Sequence, residues 1–345
     1  MESSSLNAVS IARFYSLLQA LPGLPDYSRP MPRLSEFQLI AQMFAPLATA
    51  PGAFGLMDDA AIIPACEGAD LVVTTDALVE GVHFFANDPP DTVAKKALRV
   101  NLSDLAAKGA VPHGYLLALS LPASIDMPWL ESFARGLSED QVEFSLSLLG
   151  GDTTATPGPL SIAITAFGHV PAGTIIRRAG AVPGDLVFVS GTIGDGGGGL
   201  AVLKGEEAAP SHREPLISRY RLPMPRLALG QALRGIATAS LDISDGLLAD
   251  LGHIAEASGV RIVVEAERIP RSAALAALWG EGMDAIVRAA TSGDDYEIAF
   301  TAPSLPQGMP TPVTCVGRVE QGSGLVLLDA QGRDVPVPRA GYRHF

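Results

Sequence analysis

Carboxylates recur along this chain where apolar segments meet Gly, Ser or Thr. They are Asp58 and Asp59 in Leu-Met-Asp-Asp-Ala, Asp76 after Thr74-Thr75, and Asp104 in Asn-Leu-Ser-Asp. Asp152 follows Gly150-Gly151, Asp242 and Asp245 share Asp-Ile-Ser-Asp-Gly, and Asp294 and Asp295 open Asp-Asp-Tyr-Glu. The pattern predicts aspartates at strand ends or turns, on backbone that apolar neighbours hold in place, rather than on amphipathic faces. Any one of them is explained by an Asx turn or a helix N-cap. The repetition asks for more. Carboxylates gathered in one cleft repel one another and shift their pKa values unless cations lie between them. Oxygen-rich sets of this kind suit Mg²⁺, which bridges carboxylate to phosphate.

Composition narrows the partners. The chain has 345 residues, of which 48% are apolar and 18% charged, a globular balance with room for two domains. Lys and Arg number 24 against 37 Asp and Glu, a formal net charge of −13. This disfavours nucleic acid and an anionic membrane surface as partners. An anionic substrate would have to be held through divalent metal. No apolar run is long enough to span a membrane. The N-terminus has no signal-peptide pattern, and two distant cysteines, Cys66 and Cys315, fit a reducing, cytoplasmic setting.

Residues 1–33 read as an appendage, with a short amphipathic helix at Ile11–Leu21 and a Pro-rich linker. A helix is expected over Glu36–Leu47, then a strand at Leu71–Thr75 and a long helix from Asp91 to Lys108. A strand at Tyr115–Leu121, a helix near Trp129–Asp140, a strand ending at Gly150 and a strand at Ser161–Val170 follow. The turn at Gly180–Asp185 precedes a strand at Leu186–Ser190. Two domains, 34–172 and 173–345, are drawn on this basis. The second is read with short helices at Leu200–Leu203 and through Leu233, a strand entering Asp242 and a helix from Leu247 to Ser258. Its later strands are placed at Arg261–Val264, Tyr296–Thr301 and Val313–Val319. Long strand runs without regular βαβ spacing favour α+β over a doubly wound sheet.

On the long helix Asn101, Asp104 and Lys108 fall at i, i+3 and i+7 and share a face. Ser244 and Asp245 begin a helix, either capping it or leaving its N–H groups for a phosphate. Gly194 to Gly199 matches G-x-G-x-x-G literally, but Lys204–Pro215 reads as a polar loop where a dinucleotide fold needs a second strand. The glycine run is therefore read as structural, and a hydride-transferring oxidoreductase has no other support. No P-loop motif occurs. His83 lies in Gly-Val-His-Phe near Asp76, whereas His113, His169 and His253 are read as structural.

In order and combination, these motifs resemble the thiamine-monophosphate kinase family, within the superfamily related to aminoimidazole ribonucleotide synthetase. The carriers are Asp58-Asp59-Ala60-Ala61, Thr74-Thr75-Asp76, Gly81-Val-His83-Phe84, Asn101-Leu-Ser-Asp104-Leu-Ala-Ala, Gly150-Gly-Asp-Thr, Asp242-Ile-Ser-Asp-Gly and Gly293-Asp-Asp-Tyr-Glu. The resemblance runs from about Phe37 to Phe345.

It implies an α+β fold of two aminoimidazole ribonucleotide synthetase-like domains, the N-terminal one forming a homodimer interface. It also implies phosphorylation of thiamine monophosphate to thiamine diphosphate by ATP with several Mg²⁺ ions. Asp59, Thr74, Thr75, Asp76, Asp104, Asp152, Asp242 and Asp245 match metal ligands. Gly151, Asp152, Arg178 and Ser244 match ATP contacts, while His83, Asp294 and Tyr342 match substrate contacts. Two departures stand out: Met57 where the family usually has Gly, and Asp294 where many members have Glu. The alternatives are another ATP-using member of the superfamily, handling a ribonucleotide or selenophosphate, and a non-catalytic scaffold of the same fold.

Overall fold

A computed structural model describes residues 36–58 and 60–342. The appendage with its expected helix, and Asp59, lie outside the described residues. The single helix expected over 36–47 is instead three short pieces: α-helical Glu36–Leu39, π-helical Ile40–Phe44 and 3-10 Ala45–Leu47. Pro46 lacks an N–H and cannot continue an i→i−4 ladder.

The N-terminal domain is a four-stranded sheet in the order β1-β4-β2-β3: β1 Ala69–Val79, β2 Val111–Leu121, β3 Ser147–Ala155 and β4 Ser161–Pro171. β4 runs antiparallel to β1 and β2, and β2 and β3 are parallel. Two helices are linked with it, α1 (Pro90–Ala107) and α2 (Met127–Phe144), with α2 providing the crossover from β2 to β3. Strand alternation divides the faces. Val72 and Leu78 are buried, but Leu71 and Val73 on the opposite face are 48% and 53% exposed, and Leu116 is exposed beside them. Among the described residues, this sheet is covered on one side only.

The C-terminal domain carries six strands in the order β10-β7-β9-β5-β8-β6. These are β5 Leu186–Ser190, β6 Ala239–Asp242, β7 Arg261–Glu265, β8 Ile298–Ala302, β9 Val313–Glu320 and β10 Gly324–Leu328. All five residues of β8 are buried, so this sheet is covered on both faces. Its helices are α3 Asp195–Leu203, α4 Pro210–Arg221, α5 Leu227–Ala232, α6 Leu247–Ser258, α7 Ala273–Trp279 and α8 Met283–Ala290.

Four expectations need correction. Lys204–Pro215 is not a loop throughout, because α4 begins at Pro210 and runs through Pro215. Proline at the first helical turn costs no hydrogen bond, and Leu216, Ile217 and Tyr220 give α4 its buried face. β3 does not end at Gly150 but continues to Ala155, pairing with β2 through Ala155. Asp152 therefore lies inside a strand, as does Asp76 on β1, and Asp104 lies inside a helix, not at strand ends or turns. The last strand-start expectation shifts from Tyr296 to Ile298, since Tyr296 has a left-handed φ of 52° that no strand accommodates.

α1 joins the domains. It packs against β1, β4 and α2 on one side and against α4, α5, β6 and β8 on the other. Two of its charged residues, Lys96 and Arg99, are buried: Arg99 makes paired 2.7 Å bonds to Asp140 and a further one to the carbonyl of Pro223. Ala106, near its end, sits in one core with Phe188, Leu229 and Phe300.

Candidate active site between the domains

A cleft of about 760 Å³ opens where β1 and α1 meet the loops before α6 and β8. Asp76, His83, Asp104, Asp242, Ser244, Asp245, Asp294 and Tyr342 all line it. Residues expected from five separate motifs, and Tyr342 near the C-terminus, are thus brought to one place.

The N-terminal domain supplies its carboxylates from regular elements. Thr74 and Asp76 project from the same face of β1. The Thr74 hydroxyl donates to Asp104 Oδ2 at 2.5 Å, and the Asp76 N–H donates to Asn101 Oδ1 at 3.1 Å. Asn101 is fully buried and is itself tied back to the Ala97 carbonyl. The i, i+3, i+7 stripe therefore has three jobs: Asn101 holds the strand, Asp104 faces the cleft, and Lys108 Nζ donates to the Ser240 carbonyl on β6 at 2.7 Å.

The C-terminal domain supplies its groups from two loops laced to each other. Asp294 N–H donates to Ser244 O, Tyr296 N–H to Ile243 O, and Ile243 N–H to Glu297 O. Asp294 and Tyr296 both have left-handed φ, 66° and 52°. A short polar side chain tolerates that region better than a long one, which gives a backbone reason for Asp at 294. Buried acids hold these loops. One oxygen of Asp250 accepts from the N–H groups of Ser244, Asp245 and Gly246, each at 3.1 Å. Those N–H groups are consumed, so they are not left for a phosphate. Asp295 accepts from Gly194 and Gly196 N–H, and Glu297 is gripped by Ser190, Arg219 and Arg226.

The glycine run is explained by the same loop. A Cβ at Gly196 would lie 2.2 Å from the Asp294 carbonyl, and one at Gly197 would lie 2.4 Å from Ser292 Cβ. The run lets α3 approach the cleft loop and forms no dinucleotide turn. Met57 is also accommodated: its φ is −99° and its side chain is 88% exposed, so no glycine is required there.

Crowding of carboxylates shows in their ionisation. Burial, and then the charge of Asp104, push the Asp76 carboxyl up to about 6. The same two causes hold Asp242 well above the usual carboxylate range. Burial and the neighbouring Asp245 raise Asp250 to about 7, against the pull of its three N–H donors. Burial lowers Lys108 to about 8, with Asp242 resisting and Arg178 assisting. Such a set is self-repelling until a cation neutralises it. All-oxygen donors of carboxylate and hydroxyl type fit Mg²⁺. Asp245, Asp250 and His253 also place donor atoms within 4.8 Å of one another, but Asp250 is already committed to backbone.

Not every expected residue enters the cleft. Thr75 projects to the other face of β1, where its hydroxyl donates to the Ile164 carbonyl and accepts from Thr165. Gly151 and Asp152 lie on β3, at the opposite sheet edge from β1, and line a separate groove with Asp58 and Thr165. Arg178 is exposed on the loop after β4, close enough to Lys108 to affect its charge. Sequence reasoning missed Lys96, Tyr220, Asp250 and the Arg219/Arg226 pair. The i, i+1, i+4 spacing of Leu216, Ile217 and Tyr220 was the available signal for α4.

Comparison with known proteins agrees with this layout. The N-terminal domain of AIR synthase related proteins matches residues 57–170, and the C-terminal domain of the same group matches 182–335. Thiamine-monophosphate kinase of Caulobacter vibrioides is 46% identical over 325 residues, covering 90% of this chain and 91% of the relative. Its Escherichia coli counterpart is 39% identical, covering 90% and 98%. The crystal structure of thiamine-monophosphate kinase from Stenotrophomonas maltophilia has a TM-score of 0.74 at 41% identity, covering 81% of this chain and 91% of that one. AaThiL complexed with AMPPCP and TMP superposes at 0.72 with 33% identity, covering 85% and 97%. The hydrogenase maturation protein HypE, at 18% identity and a TM-score of 0.72, shares the fold. Two domain matches in order, and relatives this similar over nearly their whole length, place the chain in the thiamine-monophosphate kinase family of AIR synthase related proteins.

Proposed function

We propose that this chain phosphorylates thiamine monophosphate with ATP, yielding thiamine diphosphate and ADP. The observation that carries the reading is the meeting of Asp76 and Asp104 from one domain with Asp242 and Asp245 from the other in a single cleft. Family membership supports it, and so does a relative held in complex with AMPPCP and TMP.

Asp76, Asp104, Asp242 and Asp245, with the Thr74 hydroxyl beside Asp104, would hold Mg²⁺; bound there, the ion neutralises phosphate charge. The nucleophile is an oxygen of the monophosphate. Its second pKa is about 6, so it is largely deprotonated at neutral pH and needs no general base. It attacks the γ-phosphorus in line; the new O–P bond forms as the bond to the β,γ-bridging oxygen breaks and ADP departs with that electron pair. Ser244, and Arg178, whose charge reaches Lys108, are assigned to the nucleotide. His83, Asp294 and Tyr342 are assigned to the thiamine end. Tyr342 is held there by its N–H bond to the Asp245 carbonyl.

A homodimer is part of the proposal. What supports it is the open apolar face of the N-terminal sheet, with Leu71, Val73 and Leu116 exposed. Thr75 and Asp152 lie toward that face, with Gly151 next to Asp152 on β3, and the assignment of these three as metal and nucleotide ligands is proposed together with that assembly. No helix among the described residues is long and apolar enough to cross a membrane, and the reading places the enzyme in the cytoplasm. The test is incubation with ATP, Mg²⁺ and thiamine monophosphate. Formation of thiamine diphosphate is expected, and its absence from folded protein refutes the reading.

A further inference from the structure

Lys96 is a buried cation behind the cleft. It sits on α1 with a side chain only 3% exposed and does not line the cavity. Its ammonium donates to the His83 carbonyl at 3.0 Å, pairs with Asp294 Oδ1 at 3.3 Å, and lies 3.6 Å from the centre of the Tyr220 ring. Tyr220 completes the arrangement, because its hydroxyl donates to the same His83 carbonyl at 3.0 Å. Asp294 Oδ1 also accepts from the Tyr296 hydroxyl at 3.2 Å.

We propose that Lys96, supported by Tyr220, is the positioning residue that sets the thiamine end of the cleft by fastening the His83 turn to the Asp294 loop. The inference rests on the assignment of His83 and Asp294 to the substrate. Its basis is where the contacts go. The His83 turn belongs to the N-terminal domain, Asp294 and Tyr220 to the C-terminal domain, and one ammonium spans them. Burying that charge is costly unless it is paired, and an apolar chain of similar volume would fill the space without the cost. What an apolar chain cannot do is fix a carbonyl and a carboxylate relative to each other.

A second consequence concerns selectivity. Lys96 balances the charge of Asp294 and, with Tyr296, occupies Oδ1. Asp294 then meets its ligand as a directional acceptor through its second oxygen, not as a bare anion. A carboxylate in that state selects a hydrogen-bond donor, such as an exocyclic amine on an aromatic ring, over a delocalised cation that has no N–H to give.

Calorimetric titration of Lys96→Met with thiamine monophosphate and, separately, with a non-hydrolysable ATP analogue tests this. Affinity for thiamine monophosphate should fall by roughly tenfold to a hundredfold while the ATP analogue stays within about twofold. Tyr220→Phe, which keeps the ring and removes the hydroxyl, should shift the same ligand the same way by about twofold to tenfold. Unchanged thiamine monophosphate affinity in Lys96→Met, or equal weakening of both ligands, overturns the positioning role. If Lys96→Met does not fold, an unchanged Tyr220→Phe overturns it. Wild-type protein that binds ATP analogue but no thiamine monophosphate refutes the substrate assignment itself, and this inference falls with it.

Discussion

The two domains build their halves of the cleft in opposite ways. The N-terminal domain presents Asp76 from mid-strand and Asp104 from mid-helix, where the ladder itself fixes the backbone. The C-terminal domain presents Ser244, Asp245 and Asp294 from loops, two of whose residues have left-handed φ. Those loops need Asp250, Asp295 and Glu297 beneath them, each buried and each accepting several hydrogen bonds. The sheets differ as well: one has an apolar face open, the other is covered on both sides. A group on a regular element can be lost without loss of shape, whereas a group on a loop depends on acids that never touch the ligand.

The largest effect should come from the rigid half. Asp104→Asn keeps the shape of the side chain and removes its charge, so turnover should fall by at least about a thousandfold with the melting temperature unchanged. Near-wild-type turnover at saturating Mg²⁺ would remove Asp104 from the metal set. The supported half should behave differently. Glu297→Gln leaves the partly exposed Arg219 and Arg226 beside a neutral partner and should cost about 1–3 kcal/mol of stability, read by denaturant unfolding. A variant as stable as wild type would show that the C-terminal loops do not depend on this buried acid.

The sheets offer a smaller effect. Leu116→Lys on the open face should weaken the proposed dimer by roughly a hundredfold in sedimentation, leaving the monomer folded. Val263→Lys, in the covered sheet, should instead unfold the protein, because its side chain has no route to solvent. The smallest effect concerns pH. As a proposed ligand, Asp76 would hold metal only when ionised, and burial with the charge of Asp104 pushes its carboxyl up to about 6, so protons would compete with Mg²⁺ as pH falls through that value. Mg²⁺ affinity should drop about tenfold from pH 7 to pH 5, followed by thermal shift in the absence of substrate. A flat profile would mean that Asp76 is not a ligand.

Sequence and structure agree best where a motif and an apolar element coincide. α6 over Leu247–Ser258 and β5 over Leu186–Ser190 were legible from periodicity and flanking glycines. The cleft groups were legible because Asp, Ser and Thr next to Gly stand out from their surroundings. What escaped were the supports. Lys96, Arg219 and Arg226 do not stand out in sequence from ordinary charged surface, and Glu297, though part of a motif, shows no sign there of its supporting role, since its arginine partners lie more than 70 residues away. α4 was hidden by its own polar face and by Pro215. The separation of Thr75 from Thr74 and Asp76 follows from a period of two that a three-residue motif cannot display.

α1 serves two cores at once, since Leu98 and Leu102 lie in the N-terminal core and Ala106 in the core around Phe188 and Phe300. The Arg221–Asp88 pair and the Arg99 bond to the Pro223 carbonyl stitch the same seam. For folding, this means that neither domain can lose its structure while the other keeps its own. A fragment ending after β4 would carry α1 with its second apolar side bare, in addition to the open sheet. Heat should therefore melt the molecule in one cooperative step, and a cleft assembled from both halves would exist only in chains that have completed that step.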